Sequence, residues 1–181
     1  MSFSKSSGLF KVDLTTSILG KLLYFNPSIK TISVLGTKAK MRAQQMFNAV
    51  YKKNIKSFDE LTTFSLELRE KIKKLISLEK PKIVDIQKSK DGTIKFLLEL
   101  KDKRNVETVL IPDKSQSRYT ICLSVSVGCY LSCEFCATAQ ISKNLVRNLT
   151  PGEIISQIIL SKDYIDDWST QKKITNQVLM G

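Results

Sequence analysis

Three closely spaced cysteines constrain this chain more than any other feature, because a single loop must bring their side chains together. They are Cys129, Cys133 and Cys136, in a Cys-x3-Cys-x2-Cys arrangement that follows an apolar alternating run over residues 119–127. A chain of 181 residues can build its own core, and no secretory pattern is visible ahead of the cysteines, so a disulfide framework is disfavoured. The spacing predicts a metal site instead.

The number and type of ligands indicate which metal this site would hold. Structural zinc takes four ligands, whereas this sequence has a single Cys-x2-Cys knuckle and no histidine. Three thiolates suit a four-iron, four-sulfur cluster in which one iron has no protein ligand and can bind S-adenosylmethionine (SAM). The spacing therefore favours a 4Fe-4S cluster and radical chemistry. A zinc site with Cys122 as the fourth thiolate remains the alternative.

Residues 106–181 closely resemble the radical-SAM RNA adenine C2-methyltransferases, and the resemblance extends more weakly back to about residue 32. In the C-terminal part, the similar segments are Val106–Pro112, Cys122, Val127–Cys129, Phe135–Cys136, Thr138, Arg147–Leu149 and Val178–Gly181. Upstream, they are Leu35–Gly36, Arg42–Ala43, Gln45 and Asp91–Thr93. The cysteine segment is the most specific of these.

This resemblance implies an activity and its cofactors. Members of the family methylate C2 of an adenine in 23S ribosomal RNA and, in many bacteria, in transfer RNA, using a 4Fe-4S cluster, SAM and a methyl-cysteine intermediate. By position, Cys129, Cys133 and Cys136 would be the cluster ligands. Phe135 would shield the cluster and face the SAM adenine, although an ordinary packed aromatic explains it equally well.

Two further site residues follow from the resemblance alone. Cys122 matches a second catalytic cysteine that helps to resolve the RNA adduct, and Glu107 matches a proton acceptor near the target adenine. Without the resemblance, Cys122 is a buried strand cysteine and Glu107 is one charged residue of an alternating strand. An electron-donor protein and a monomeric full-length enzyme are also implied. A relative that methylates C8 of the same adenine shares the cysteine pattern, so the methylated carbon stays open.

Relatives of this family continue beyond the region that Gly181 matches, into a SAM-binding segment, most of a barrel and a methyl-carrying cysteine. We therefore expect a truncated chain that is inactive alone. The alternatives are a non-catalytic cysteine-rich module that binds metal and RNA, or the remnant of a split gene.

Charge is concentrated near the start of the chain. The net charge is +12, and residues 1–56 hold ten lysines and arginines against Asp13 alone. Such a basic region attracts a phosphate backbone, although lysine-rich composition can also reflect genome bias. The candidate RNA contacts on the predicted helix over residues 38–53 are Lys38, Lys40, Arg42, Lys52 and Lys53. No apolar run approaches the roughly 20 residues of a membrane span, and we expect a cytoplasmic protein.

The hydrophobic period divides the chain into three parts. Residues 1–80 predict a basic helical domain that binds RNA, and residues 81–117 predict an antiparallel β-meander with its connection. Residues 118–181 predict a strand, the cysteine loop, a helix capped by Thr150 and a second strand. The fold class is therefore α/β, with the first βαβ unit of a truncated radical-SAM partial (β/α) barrel following the two smaller parts.

Overall fold

A computed structural model describes residues 34–113, 115, 117–129, 133–137 and 147–180. Candidate features in residues 1–33, and Thr138 of the family-like cysteine segment, lie outside the described residues. None of the helices in the described part combines the length and apolar character that a membrane crossing requires.

The first part of the described chain is a small helical unit. Its helices are α1 (Ala39–Tyr51) and α2 (Leu66–Leu75), with short 3-10 turns at Gly36–Lys38 and Phe58–Glu60. The Ser65 side chain accepts a hydrogen bond from the Leu68 amide and so caps α2. Buried side chains that include Met46, Phe58 and Ile72 form a core that belongs to this unit alone.

A five-stranded sheet follows, in the order β1-β2-β3-β4-β7. The strands are β1 (Lys82–Lys88), β2 (Ile94–Glu99), β3 (Asn105–Asp113), β4 (Arg118–Ser124) and β7 (Ile174–Met180). Strands β1 to β4 pair as an antiparallel meander, and β7 pairs with β4 in parallel, as the predicted βαβ unit requires. Because β3 is hydrogen-bonded to β4, the meander and the βαβ unit share one sheet.

A second, two-stranded pairing closes the base of the cysteine loop. Strands β5 (Ser126–Val127) and β6 (Arg147–Asn148) are antiparallel, and the Leu149 amide donates to the Val125 carbonyl at 2.8 Å. The sequence did not predict this pairing, because two-residue strands carry no periodicity. Its consequence is that both ends of the loop are held together at the carboxyl end of β4.

Helix α3 (Pro151–Tyr164) connects this loop to β7 and covers one face of the sheet. Thr150 and Glu153 form the predicted capping box, and Pro151 occupies the first helical turn. The helix buries polar as well as apolar side chains. Ile159 is buried, but Ser156 and Gln157 are buried more completely.

A single carboxylate links the helical unit to α3. Asp163 accepts hydrogen bonds from Asn54 at 2.8 Å, from Trp168 at 2.9 Å and from both Lys56 and Lys80. Burial alone would raise the pKa of Asp163, but its donors outweigh this effect and lower the pKa. The carboxylate is therefore held ionised between the two units.

Candidate functional site

The candidate site begins where β4 ends, at the carboxyl edge of the sheet. Gly128 has a φ of 78°, a left-handed conformation that a side chain would strain, and it turns the chain into the cysteine loop. The Ser126 hydroxyl donates to the Gly128 carbonyl at 2.9 Å and supports this turn. The sequence thus places Cys129 directly after a turn that only glycine adopts readily.

The three cysteines of the loop have the chemistry that an iron–sulfur cluster needs. Each side chain is partly exposed, and no disulfide forms among the described residues, which include all four cysteines. The Cys136 amide donates to the Cys133 carbonyl at 3.0 Å, which folds this pair into a tight turn. Three soft sulfur donors at this spacing fit a cluster with one open iron.

The fit is one of donor type and spacing, without a preassembled cage. In the described ranges, no group of three or more His, Cys, Asp or Glu side chains converges closely enough to hold a metal ion. Residues 130–132, between the first two cysteines, lie outside those ranges. Phe135 precedes the last cysteine and is 92% exposed, so it is not a packed core aromatic.

Arg147 anchors the far end of the loop. Its guanidinium binds both oxygens of Glu153, at 2.8 and 3.0 Å, and one oxygen of Asp102 at 2.8 Å. Glu153 and Asp102 raise the pKa of Arg147, and Arg147 in turn lowers the pKa of Asp102. Burial would raise the pKa of Glu153, but Arg147 and Thr150 lower it overall. In the sequence, Arg147 was noted only as part of a segment that resembles the family.

Glu107 and Cys122 lie on the same face of the sheet. Thr108 and Leu123 are ladder partners and point towards α3, so the adjacent Glu107 and Cys122 point to the opposite face. Glu107 is exposed and forms an ion pair with Lys95 at 3.0 Å, whereas Cys122 is only 8% exposed. The structure therefore places these two predicted residues on one face of the sheet. Cys122 lies on the strand that leads into the cysteine loop, and Glu107 lies on the neighbouring strand.

The predicted RNA contacts lie on the helical unit rather than on the sheet. Lys38, Lys40, Lys52 and Lys53 are exposed at the two ends of α1. Arg42 differs from them, because its guanidinium donates to the Leu35 carbonyl at 2.6 Å and holds the segment before α1. Arg42 thus has a structural role that the charge pattern does not reveal.

Sequence reasoning missed Gln157, which connects β3, the strand that carries Glu107, with β4, the strand that leads into the cysteine loop. Gln157 of α3 is buried against Thr108 and Ser124 and hydrogen-bonds both of them. The available signal was a glutamine within an isoleucine-rich helix, where a buried polar side chain needs a partner.

Comparison with known proteins identifies relatives of this chain. No protein-family profile matches the chain. A dual-specificity RNA methyltransferase RlmN from Oleidesulfovibrio alaskensis is 41% identical over 150 residues, which cover 83% of this chain and 41% of that protein. The RlmN of Parvibaculum lavamentivorans is 40% identical over 85% of this chain and 41% of its own length.

A solved structure extends the likeness to three dimensions. The crystal structure of a radical SAM methyltransferase from Sphaerobacter thermophilus matches with a TM-score of 0.69 and 30% identity, over 90% of this chain and 46% of that one. The chain thus spans about two fifths of the length of the curated relatives that it matches.

Proposed function

Since this chain is a partial-length relative of the radical-SAM RNA methyltransferases, we propose that it serves the methylation of adenine C2 in RNA. The substrates would be 23S ribosomal RNA and transfer RNA. The observation that carries the proposal is the position of the cysteine triad. The triad follows the carboxyl end of β4, and Cys122 of β4 shares one face of the sheet with Glu107 of the neighbouring strand β3. A radical SAM methyltransferase has a similar fold.

The cofactors proposed are a 4Fe-4S cluster and SAM. Cys129, Cys133 and Cys136 would hold the cluster, which when bound to SAM supplies a carbon-centred radical. The exposed ring of Phe135 would cover the cluster on its solvent side and pack against the SAM adenine, which excludes water from both.

The chain's own residues on the opposite sheet face would handle the proton. The Glu107 carboxylate would accept a proton from the target adenine, with the Lys95 ammonium at 3.0 Å holding its orientation. The Cys122 thiolate, on the adjacent strand β4, would take a proton from the RNA-linked intermediate and so help to release the product from that adduct. Both assignments rest on the positions that the chain shares with the family.

The exposed lysines at the ends of α1 would bind the RNA backbone. Lys38, Lys40, Lys52 and Lys53 would neutralise phosphates, and affinity would fall as salt rises. Arg42 would support this surface through its bond to Leu35. We also propose an electron-donor protein as partner, a monomeric enzyme and a cytoplasmic setting, where thiolates stay reduced and can bind iron.

Metal loading separates this proposal from a zinc module. After anaerobic reconstitution with iron and sulfide, we expect about four iron atoms per chain and a change in the electron paramagnetic resonance signal on adding SAM. Serine at Cys129, Cys133 or Cys136 should abolish loading. Cys122→Ser is the matched control, because a three-thiolate cluster does not need it while four-thiolate zinc does. Stoichiometric zinc that is lost in Cys122→Ser would overturn the cluster assignment.

The reaction itself is tested with the protein that its native cells make. That protein should be incubated with SAM, a reductant and unmodified 23S ribosomal or transfer RNA, and the digested RNA analysed by mass spectrometry. We expect 2-methyladenosine. Formation of 8-methyladenosine would instead assign the C8 reaction, and no methylated adenosine despite a loaded cluster would contradict the proposed activity.

A further inference from the structure

Gln157 is the polar side chain of the sheet core with the largest number of hydrogen bonds. It lies in the middle of α3 and is 0% exposed, as is its partner Thr108. An amide side chain has two donor hydrogens and an acceptor oxygen, and each must find a partner when no water can reach it. At Gln157 all of them are satisfied by protein groups.

The partners of Gln157 lie on two strands and on its own helix. Its Oε1 accepts from the Thr108 hydroxyl at 2.7 Å and from the Ser124 amide at 3.0 Å. Its Nε2 donates to the Ser124 carbonyl at 2.9 Å and to the Glu153 carbonyl at 3.3 Å. One side chain therefore binds both backbone groups of Ser124, as a neighbouring strand would.

This pairing occurs where the backbone ladder between β3 and β4 stops. The last ladder partners are Thr108 and Leu123, and Ser124 is the next residue along β4. The Gln157 amide replaces the missing backbone partner at that point. Beyond it, the chain runs through the two-residue strand β5 into the cysteine loop. Without Gln157, the Ser124 backbone groups at the partly buried end of β4 would lack the partners that the structure gives them.

Both strands that Gln157 joins carry candidate site residues. Thr108 is adjacent to Glu107, and Ser124 lies five residues before Cys129. The Ser124 hydroxyl also donates to the Glu107 carbonyl at 2.7 Å, which closes the link between the strands. A shift of Ser124 would move the start of the loop and the backbone of Glu107 together.

We propose that Gln157 is a positioning residue that holds the cysteine loop and Glu107 in one fixed relation. It acts through Ser124 and Thr108 and touches neither RNA nor cofactor. The inference rests on the proposed function, since only a cluster bound at the loop makes this relation matter for catalysis. Its structural half, that Gln157 orders the end of β4, stands independently of any bound group.

The alternative is that Gln157 merely stabilises the core, and variants of the full chain distinguish the two. Gln157→Met has a similar volume but lacks every hydrogen bond, and Thr108→Val removes one bond from the same amide. Ile158→Ala is the matched control, because Ile158 packs α3 against the same sheet core and its side chain has no group that could hydrogen-bond Ser124 or Thr108.

Amide hydrogen exchange tests whether Gln157 orders the end of β4. In Gln157→Met, we expect exchange at residues 124–128 to rise by about tenfold or more relative to β2, which is the signature of local opening. Ile158→Ala should raise exchange across α3 and the sheet without singling out residues 124–128. Thr108→Val should show a smaller local rise. A uniform rise in Gln157→Met, equal to that of the control, would overturn the positioning role.

Iron binding after anaerobic reconstitution tests whether Gln157 positions the cysteine loop for the cluster. At a temperature where all variants are folded, Gln157→Met should bind iron about tenfold more weakly than the wild type, as loss of an outer support typically does. Ile158→Ala should match the wild type. Equal iron affinity in Gln157→Met and the control would overturn the inference. If the wild type itself binds no iron, the proposed function fails, while hydrogen exchange still decides whether Gln157 orders the strand end.

Discussion

Adjacent residues on β3 point to opposite faces of the sheet. At Glu107 and Thr108, this alternation places the candidate proton acceptor Glu107 on one face and the buried Thr108 on the other. Thr108 is buried and bound to Gln157, whereas Glu107 is exposed and paired with Lys95. A one-residue slip of β3 would exchange the two side chains. The position of Glu107 thus depends on the buried hydrogen bond of its neighbour.

Glu107→Gln should separate catalysis from stability. The Glu107–Lys95 pair is exposed, so we expect the free energy of unfolding to change by less than about 1 kcal/mol. If Glu107 accepts a proton from RNA, the methylation rate of the enzyme made in its native cells should fall by about a hundredfold or more. The rate is measured from 2-methyladenosine in RNA digests.

Lys95→Met is the matched control for that prediction. It removes the same ion pair at 3.0 Å but leaves the carboxylate in place. Its methylation rate should stay much closer to that of the wild type. A rate for Glu107→Gln equal to that of the unmodified enzyme, or an equal loss in both variants, would contradict the assigned proton transfer.

At the level of helices and strands, three described contacts hold the base of the cysteine loop. Gln157 secures the end of β4, β5 pairs with β6, and Arg147 joins the returning chain to the capping box of α3. Arg147 also reaches Asp102 in the turn between β2 and β3. Both ends of the loop are thereby attached to the sheet and to α3.

Arg147→Met should destabilise the protein in a pH-dependent manner. Charged hydrogen bonds at a partly buried site contribute about 1.5 to 3 kcal/mol. The pKa values of Glu153 and Asp102 are lowered in the folded state, so their stabilising effect is complete above their unfolded pKa values of about 4 and is lost as pH falls below them. The difference in unfolding free energy between wild type and variant should therefore shrink between neutral and strongly acidic pH.

Urea unfolding at several pH values measures this difference. Arg104→Met is the control, because Arg104 approaches Asp102 only to 3.7 Å and forms no ion pair with Glu153 among those that the structure describes. That substitution should cost little at any pH. A pH-independent difference for Arg147→Met would show that the ion pairs do not stabilise the loop base.

At the scale of the whole molecule, two hydrophobic cores are joined through Asp163. The helical unit and the sheet each bury their own apolar side chains. Between them, Asp163 of α3 accepts from Asn54 and Lys56 of the helical unit and from Lys80 of the connection. Among the described residues, these hydrogen bonds to the Asp163 carboxylate connect the unit that carries the candidate RNA-binding lysines with the sheet that carries the candidate site.

Asp163→Asn should loosen this junction. The Lys80 side chain is only 21% exposed, and without the carboxylate it would be a poorly solvated cation without its anion, which costs about 1 to 3 kcal/mol. We expect faster limited proteolysis of the connection over residues 76–81, with both products remaining folded. Lys56→Met removes the more exposed partner, whose side chain is 59% exposed, and should change the proteolysis rate little. Equal rates in Asp163→Asn and the wild type would show that packing alone joins the units.

Much of the local structure was predictable from the sequence. The cap at Thr150, the antiparallel meander and the parallel strand after α3 all lie where period and capping patterns place them. The cysteine triad was identified by its spacing, and Glu107 and Cys122 by resemblance; the structure places the latter two on one face of the sheet. The metal-ligand assignment itself stays a prediction.

Contacts between distant segments were not predictable, for a physical reason. Periodicity and caps arise from interactions between residues within about one helical turn or on adjacent strands, so they are written in the local sequence. The bonds of Gln157 to Ser124 and Thr108, and of Asp163 to Asn54, join residues that are 33 to 109 positions apart. The helices, the strands of the five-stranded sheet and the thiol chemistry follow from the local sequence. Which polar groups satisfy one another in the interior depends on the tertiary fold, because burial removes water as the alternative partner.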